Sequence, residues 1–216
     1  MDSNGASATF LPAARNPSDS NDEVTVYNQA SATGTDQLAL FNPGASNTKL
    51  ALSYVSYGAW QRLTDNGATI GVAQQYFVYG IRQAADQPST GSASYTTTVD
   101  GVWSNPDGIY SLGGTSSFTA DFAAMTVATT LDLAGTNMVN GSEKSLGLFN
   151  GTGTIVALGG EFGGTLAHQG TDVDGNVYSG SFAGAFFGPQ GQEVGYSFSL
   201  TGPGGAAAGA VVGKSN

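Results

Sequence analysis

The feature that most constrains this chain is a strict two-residue alternation. Between Met125 and Leu133, Met125, Val127, Thr129, Leu131 and Leu133 share one side, while Thr126, Ala128, Thr130 and Asp132 share the other. Phe118, Ala120 and Phe122 oppose Thr119 and Asp121, and Tyr196, Phe198 and Leu200 oppose Ser197 and Ser199. Successive side chains of a strand point to opposite faces, so each segment reads as a strand with one apolar and one polar side. Composition closes off the alternative. Charged residues are 10% of the chain, where about a quarter is ordinary. No long amphipathic helix can show a charged outer face on so few charges, and the outer coat has to be Ser, Thr, Asn, Gln and Gly.

Turn residues divide the chain into short runs. Asn66-Gly67 is a strong hairpin signal because both residues tolerate positive φ. Asn105-Pro106-Asp107-Gly108, Asn140-Gly141-Ser142 and Asp174-Gly175-Asn176 are further turn clusters. Strand-like runs fall at Asp22–Gln29, Asp36–Phe41, Leu50–Trp60, Gln74–Arg82, Gly91–Trp103, Thr115–Phe122 and Met125–Leu133. They continue at Thr152–His168, with a bend expected at Gly159-Gly160, then Val177–Phe187, Val194–Leu200 and Ala206–Gly213. The reading is an all-β chain. Residues 1–21 are a flexible leader, 22–48 a short N-terminal strand unit, and 49–216 a single eight-stranded antiparallel β-barrel. Periodicity alone leaves a sandwich open. An eight-stranded barrel holds side chains or one small ligand inside. Phe, Tyr, Leu and Met suit that interior, and a Thr-Ala-Thr-Asp face makes a poor lipid contact. The barrel is therefore expected to be soluble.

The formal net charge is −10, with only six Lys and Arg, and these are scattered. Neither the basic footprint of a nucleic-acid binder nor the polybasic cluster of a lipid-held protein is present in the sequence. There is no cysteine, hence no disulfide and no thiolate metal site. Met1-Asp2-Ser3 reads as the start of a mature chain whose export signal was removed.

Three segments resemble the β-barrel domain of bacterial transferrin-binding protein B and its surface-lipoprotein relatives. Tyr76-Phe77-Val78-Tyr79-Gly80 with Pro88–Tyr95 is similar to an aromatic-Gly strand and the Pro-x-Thr-Gly-x-Ala-x-Tyr segment after it. Thr115–Phe122 resembles a small-residue strand ending in Asp-Phe. Gly180–Gly195, which contains Phe186-Phe187-Gly188-Pro189 and Glu193, is the most specific match. Gly191 stands where the family has Ala, and Tyr196 where it has a second Gly. The ending Gly209–Lys214 also resembles the family's terminus.

The resemblance implies a non-catalytic binding protein at the Gram-negative outer membrane surface, or secreted, that captures iron, haem or another solute. A lipid anchor would fit such a protein. With so short a strand unit before the barrel, the transferrin-contact surface is expected to be missing. The alternative is an adhesin or host-protein interaction module with a solid barrel. An internal cavity lined by Tyr54, Tyr79, Phe118 and Phe198 would separate the two.

Candidate chemistry is sparse. His168 is the only histidine. One reading makes it a haem ligand through a neutral imidazole, with Tyr54 and Tyr79 as ligand-binding residues. The other makes it an ordinary histidine at a strand end. A Ser-His-Asp site would need Ser179 or Ser181 with Asp172 or Asp174, and nothing in the sequence orients them. Asp172-Val173-Asp174-Gly175-Asn176 has the alternate oxygens of a calcium loop but lacks its distal Glu, so a hairpin turn accounts for it. No cofactor or metal ligand set is expected.

Overall fold

A computed structural model describes the chain except for residues 1, 4–5, 32, 45–46, 48–50, 69, 84–86 and 157–158. Strands β1 (Asp2–Ser3) and β2 (Ala6–Ser7) form a minimal hairpin. Strands β3 (Val24–Ser31), β4 (Gly34–Phe41), β5 (Val55–Asp65) and β6 (Ile70–Gly80) make a four-stranded antiparallel sheet in chain order. Strands β7 (Ser92–Asn105), β8 (Gly108–Asp121), β9 (Thr126–Asn137), β10 (Glu143–Ile155), β11 (Glu161–His168), β12 (Ser179–Phe187), β13 (Glu193–Gly202) and β14 (Gly205–Ser215) follow. These eight close into an antiparallel barrel, with β14 paired to β7.

The expected alternation holds along β9, where every second residue is buried from Val127 to Asn137. Apolar side chains fill the barrel and hydroxyls face out, as in a soluble barrel. Phe118 sits among Tyr95, Phe162 and Tyr196, with ring centroids 5.7, 5.0 and 5.5 Å away. The buried Thr129 and Tyr196 hydroxyls pair at 2.7 Å, so neither is left unsatisfied. Met125, expected to point inward, lies instead in the β8–β9 turn, at φ 54° and 36% exposed.

The largest difference from expectation lies before the barrel. The barrel starts at Ser92, and the runs expected at Leu50–Trp60 and Gln74–Arg82 become β5 and β6 of the separate sheet. The boundary expected between 48 and 49 lies outside the described residues. The leader also makes contacts: Asn16 N–H donates to the Val26 carbonyl at 2.8 Å, and Arg15 bridges Tyr27. The bend expected at Gly159-Gly160 is a full reversal between β10 and β11.

One face of the sheet packs on the outside of the barrel. Phe41, Val55, Tyr57, Tyr76 and Val78 meet Ala185, Phe187, Ala210 and Val212. Here the barrel's outer face carries Ala and Val in place of Ser and Thr, so the seam is apolar. Two polar contacts fix it. The Tyr57 hydroxyl donates to Asp100 Oδ2 at 2.5 Å. The Glu193 carboxylate accepts the backbone N–H groups of Ser53, Tyr54 and Val55 at 2.8, 2.7 and 2.9 Å.

Candidate functional site

Neither ligand reading of the expected residues is assembled by the fold. Phe118 and Phe198 are in the barrel core, whereas Tyr54 and Tyr79 belong to the sheet side of the seam, so the fold keeps the two pairs apart. The Tyr79 hydroxyl donates to the Phe41 carbonyl at 2.6 Å, and burial pushes its pKa up. The Tyr54 ring lies against Gly188, where an added Cβ would meet it at 2.6 Å.

His168 is at the other end of the barrel from these two. Its ring stacks on Phe149 at 4.4 Å, and its Nδ1 accepts the Tyr178 N–H at 3.3 Å. Nε2 is buried and faces Gly147, where a Cβ would stand 2.4 Å from it. Burial lowers the His168 pKa, with the Asp172 charge pulling the other way. Ser179 and Ser181 pair with Ala167 and Thr165 and are exposed, on the outer face. His168 follows Ala167 and turns inward onto Phe149, so neither serine shares its face.

What the fold does assemble is the set of loops around the His168 end of the barrel. Four connections lie there: residues 106–107, 138–142, 169–178 and 203–204. Each of the first three is held by a side-chain amide or carboxylate that mimics a backbone turn. Asn105 Oδ1 accepts the Asp107 N–H at 2.8 Å. Asn137 Oδ1 accepts those of Val139 and Asn140 at 2.9 and 3.2 Å. Asp172 Oδ1 accepts those of Asp174 and Asn176 at 2.9 and 2.8 Å. Burial opposes the Asp172 charge, but these bonds outweigh it and leave its pKa low. The segment that resembled a calcium loop is thus a carboxylate-centred turn.

Lys144 ties the loops together. Its Nζ reaches Asp107 Oδ2 at 2.5 Å and Asp174 Oδ2 at 2.6 Å, and it lies 6.0 Å from the centroid of the buried Trp103 ring. The hydrogen bonds to Asp107 and Asp174 hold its pKa above the usual lysine value. On this frame stand apolar side chains open to solvent. Val139 is 95% exposed, Met138 67%, Val173 60%, Val177 55% and Ile109 38%. The Met138 N–H donates to the Ile109 carbonyl at 3.0 Å, which sets these two side by side, and Lys144 links the first loop to the third through Asp107 and Asp174. Sequence reasoning missed Met138, Val139 and Lys144. The readable signal was an apolar pair set directly before Asn140-Gly141, where turn chemistry would otherwise place polar residues.

The barrel residues identify a class: small antiparallel barrels that carry a sheet on their outer wall. Residues 87–215 match the family described as the C-lobe and N-lobe beta barrels of Tf-binding protein B. The chain belongs to that family. Among solved structures it is similar to a double mutant of transferrin-binding protein B from Haemophilus parasuis Hp5, with 18% identity and a TM-score of 0.61. That match covers 91% of this chain and 38% of the other. It is also similar to intact Ap-TbpB, N and C lobes together, at 16% identity and a TM-score of 0.60, over 91% of this chain and 39% of that one. At these identities the likeness is one of fold, and this chain spans about two fifths of each structure's length. No curated protein matches.

Proposed function

We propose that this chain is a non-catalytic binding protein displayed on, or released from, the surface of a Gram-negative bacterium, and that its loop end docks a protein. The observation that carries this is the group of exposed apolar side chains on loops fixed by Asn105, Asn137, Asp172 and Lys144. Exposed apolar residues on a rigid frame are the usual material of a protein interface. The packed interior supports a protein ligand over a solute held inside the barrel, because aromatic rings fill the space a solute would take. Relatives named for binding transferrin make an iron-carrying host protein the first partner to try.

Binding of the purified chain to immobilised transferrin and lactoferrin, each iron-loaded and iron-free, tests this, with haem followed by absorbance in parallel. A host protein should bind, and M138D/V139D should abolish the signal while leaving the circular dichroism spectrum unchanged. Capture of a host protein that carries no iron would move the chain to the adhesins. A haem complex with unchanged affinity in M138D/V139D would overturn the loop end as the site.

A further inference from the structure

We propose that the free edge of β6 and the barrel wall beside it form a second docking site, which takes one extended polypeptide segment of a partner protein as a fifth strand of the sheet. Among the described residues no strand pairs with the side of β6 away from β5. Its eleven residues, Ile70–Gly80, include no charge and no proline. Exposed edges usually carry such guards, because unpaired backbone N–H and C=O groups invite another strand.

The space beside that edge has the right shape. A groove of about 690 Å³ runs between Val78–Gly80 and the outer face of β11 and β12. Its floor is small, with Gly163, Ala183 and Ala185, so a backbone can approach closely. Ala185, Phe187 and Val78 line the groove and also belong to the apolar seam between sheet and barrel. The groove is therefore the unfilled continuation of an interface that already exists. Val156 lines it at 55% exposure, and Ile81, next after β6, is 61% exposed. The Arg82–Glu161 ion pair at 2.8 Å lines it too.

The geometry also selects the occupant. Antiparallel pairing of two β6 edges around a two-fold axis normal to the sheet would put both barrels on the same side. In each copy β11 and β12 line the space beside the Val78–Gly80 end of β6, so the two barrels would compete for it. A single strand brings no second barrel, and its pairing is confined to the residues before Ile81, whose carbonyl already accepts the Gly188 N–H at 2.9 Å. Backbone bonds to β6 would supply affinity. The floor would select Gly, Ala or Ser at every second position of the guest, with side chains between them pointing away from the barrel.

A random linear peptide library displayed on phage, panned against the full chain, supplies the probe. The winning sequence is then synthesised and added to labelled protein. Hydrogen exchange by NMR should show slowed amides within 71–80. G163R should weaken binding roughly tenfold or more, about 1.4 kcal/mol or above. An added Cβ at Gly163 has its nearest neighbours at 3.5 and 3.9 Å, so the side chain fits the fold while filling the groove. A183R, at an exposed position, gives the same readout if G163R fails to fold. V139D, at the loop end, should bind the peptide as the parent does. The proposal fails if no peptide is selected, if selected peptides protect no β6 amide, or if they bind the folded groove variants as tightly as the parent.

Discussion

Glu193 has 6% exposure, yet its carboxylate sits among three backbone N–H donors. Hydrogen bonds to an ionised group contribute about 1.5–3 kcal/mol each at most, and less when donors share one carboxylate. Replacing Glu193 by Gln keeps the shape and loses the charge, and should lower unfolding free energy by about 2 kcal/mol in urea titrations. Glu193→Ala should cost more, because Ser53, Tyr54 and Val55 would keep donors with no acceptor. His168 acts on a different axis. Its folded pKa lies below the unfolded value of 6.5, so the unfolded chain binds the proton first as pH falls. Stability should decline from about pH 6.5 downward, until the folded pKa is passed. H168Q should flatten that part of the profile. Asp36, held low by Arg62, and Asp172 act further down, since their contribution is present above about pH 4 and is lost as pH falls through the folded values. The urea midpoint measured from pH 8 to pH 3 in parent and variant separates the two windows.

At the scale of elements, the loop end and the β12–β13 turn divide the work. In the turn, Gly188 and Gly191 adopt φ of 76° and 66°, and the Tyr95 hydroxyl donates to the Gly191 carbonyl at 2.8 Å. The Phe-Phe-Gly-Pro segment that carried the family resemblance is thus a structural hinge pin where barrel and sheet meet. Lys144 does something narrower. Asp107 and Asp174 are 62% and 50% exposed, so the global worth of these pairs is within about 1 kcal/mol. Lys144→Met should barely move the urea midpoint, yet it should speed amide exchange in residues 138–142 and 169–178. A large loss of global stability would contradict the staple. Local pattern made most strands legible: β9, β13 and the β5–β6 hairpin at Asn66-Gly67 follow directly from alternation and turn chemistry. The partition between sheet and barrel was not legible. β5 and β6 have the same local composition as barrel strands, and what separates them is the pairing of β5 with β4 and the seam contacts with Ala185 and residues after it. The loop-end site was hidden for a similar reason, since Lys144 meets Asp107 and Asp174 only once β7 to β12 pair side by side.

Across the whole molecule the two units are unequal. The barrel owns a core drawn from its own strands and the Phe122 and Tyr178 that flank them, whereas the seam core needs both partners. Residues 87–216 alone should fold cooperatively. With Ala185, Phe187, Ala210 and Val212 uncovered, that fragment should bind a hydrophobic dye or self-associate in sedimentation, unlike the full chain. Residues 1–83 alone should stay unfolded by circular dichroism, since the apolar cluster of their sheet is completed by Ala185, Phe187, Ala210 and Val212 of the barrel.

The barrel closes where Tyr95 meets Ser215, and the Asn216 amide donates to the hydroxyl of Ser94, 122 positions earlier. A strand that must find a partner so far back forms late, after the chain entropy between them has been overcome. Closure between β14 and β7 is thus the last step that the topology allows. Until β14 has formed, the other seven strands remain an open ribbon whose edges are β7 and β13.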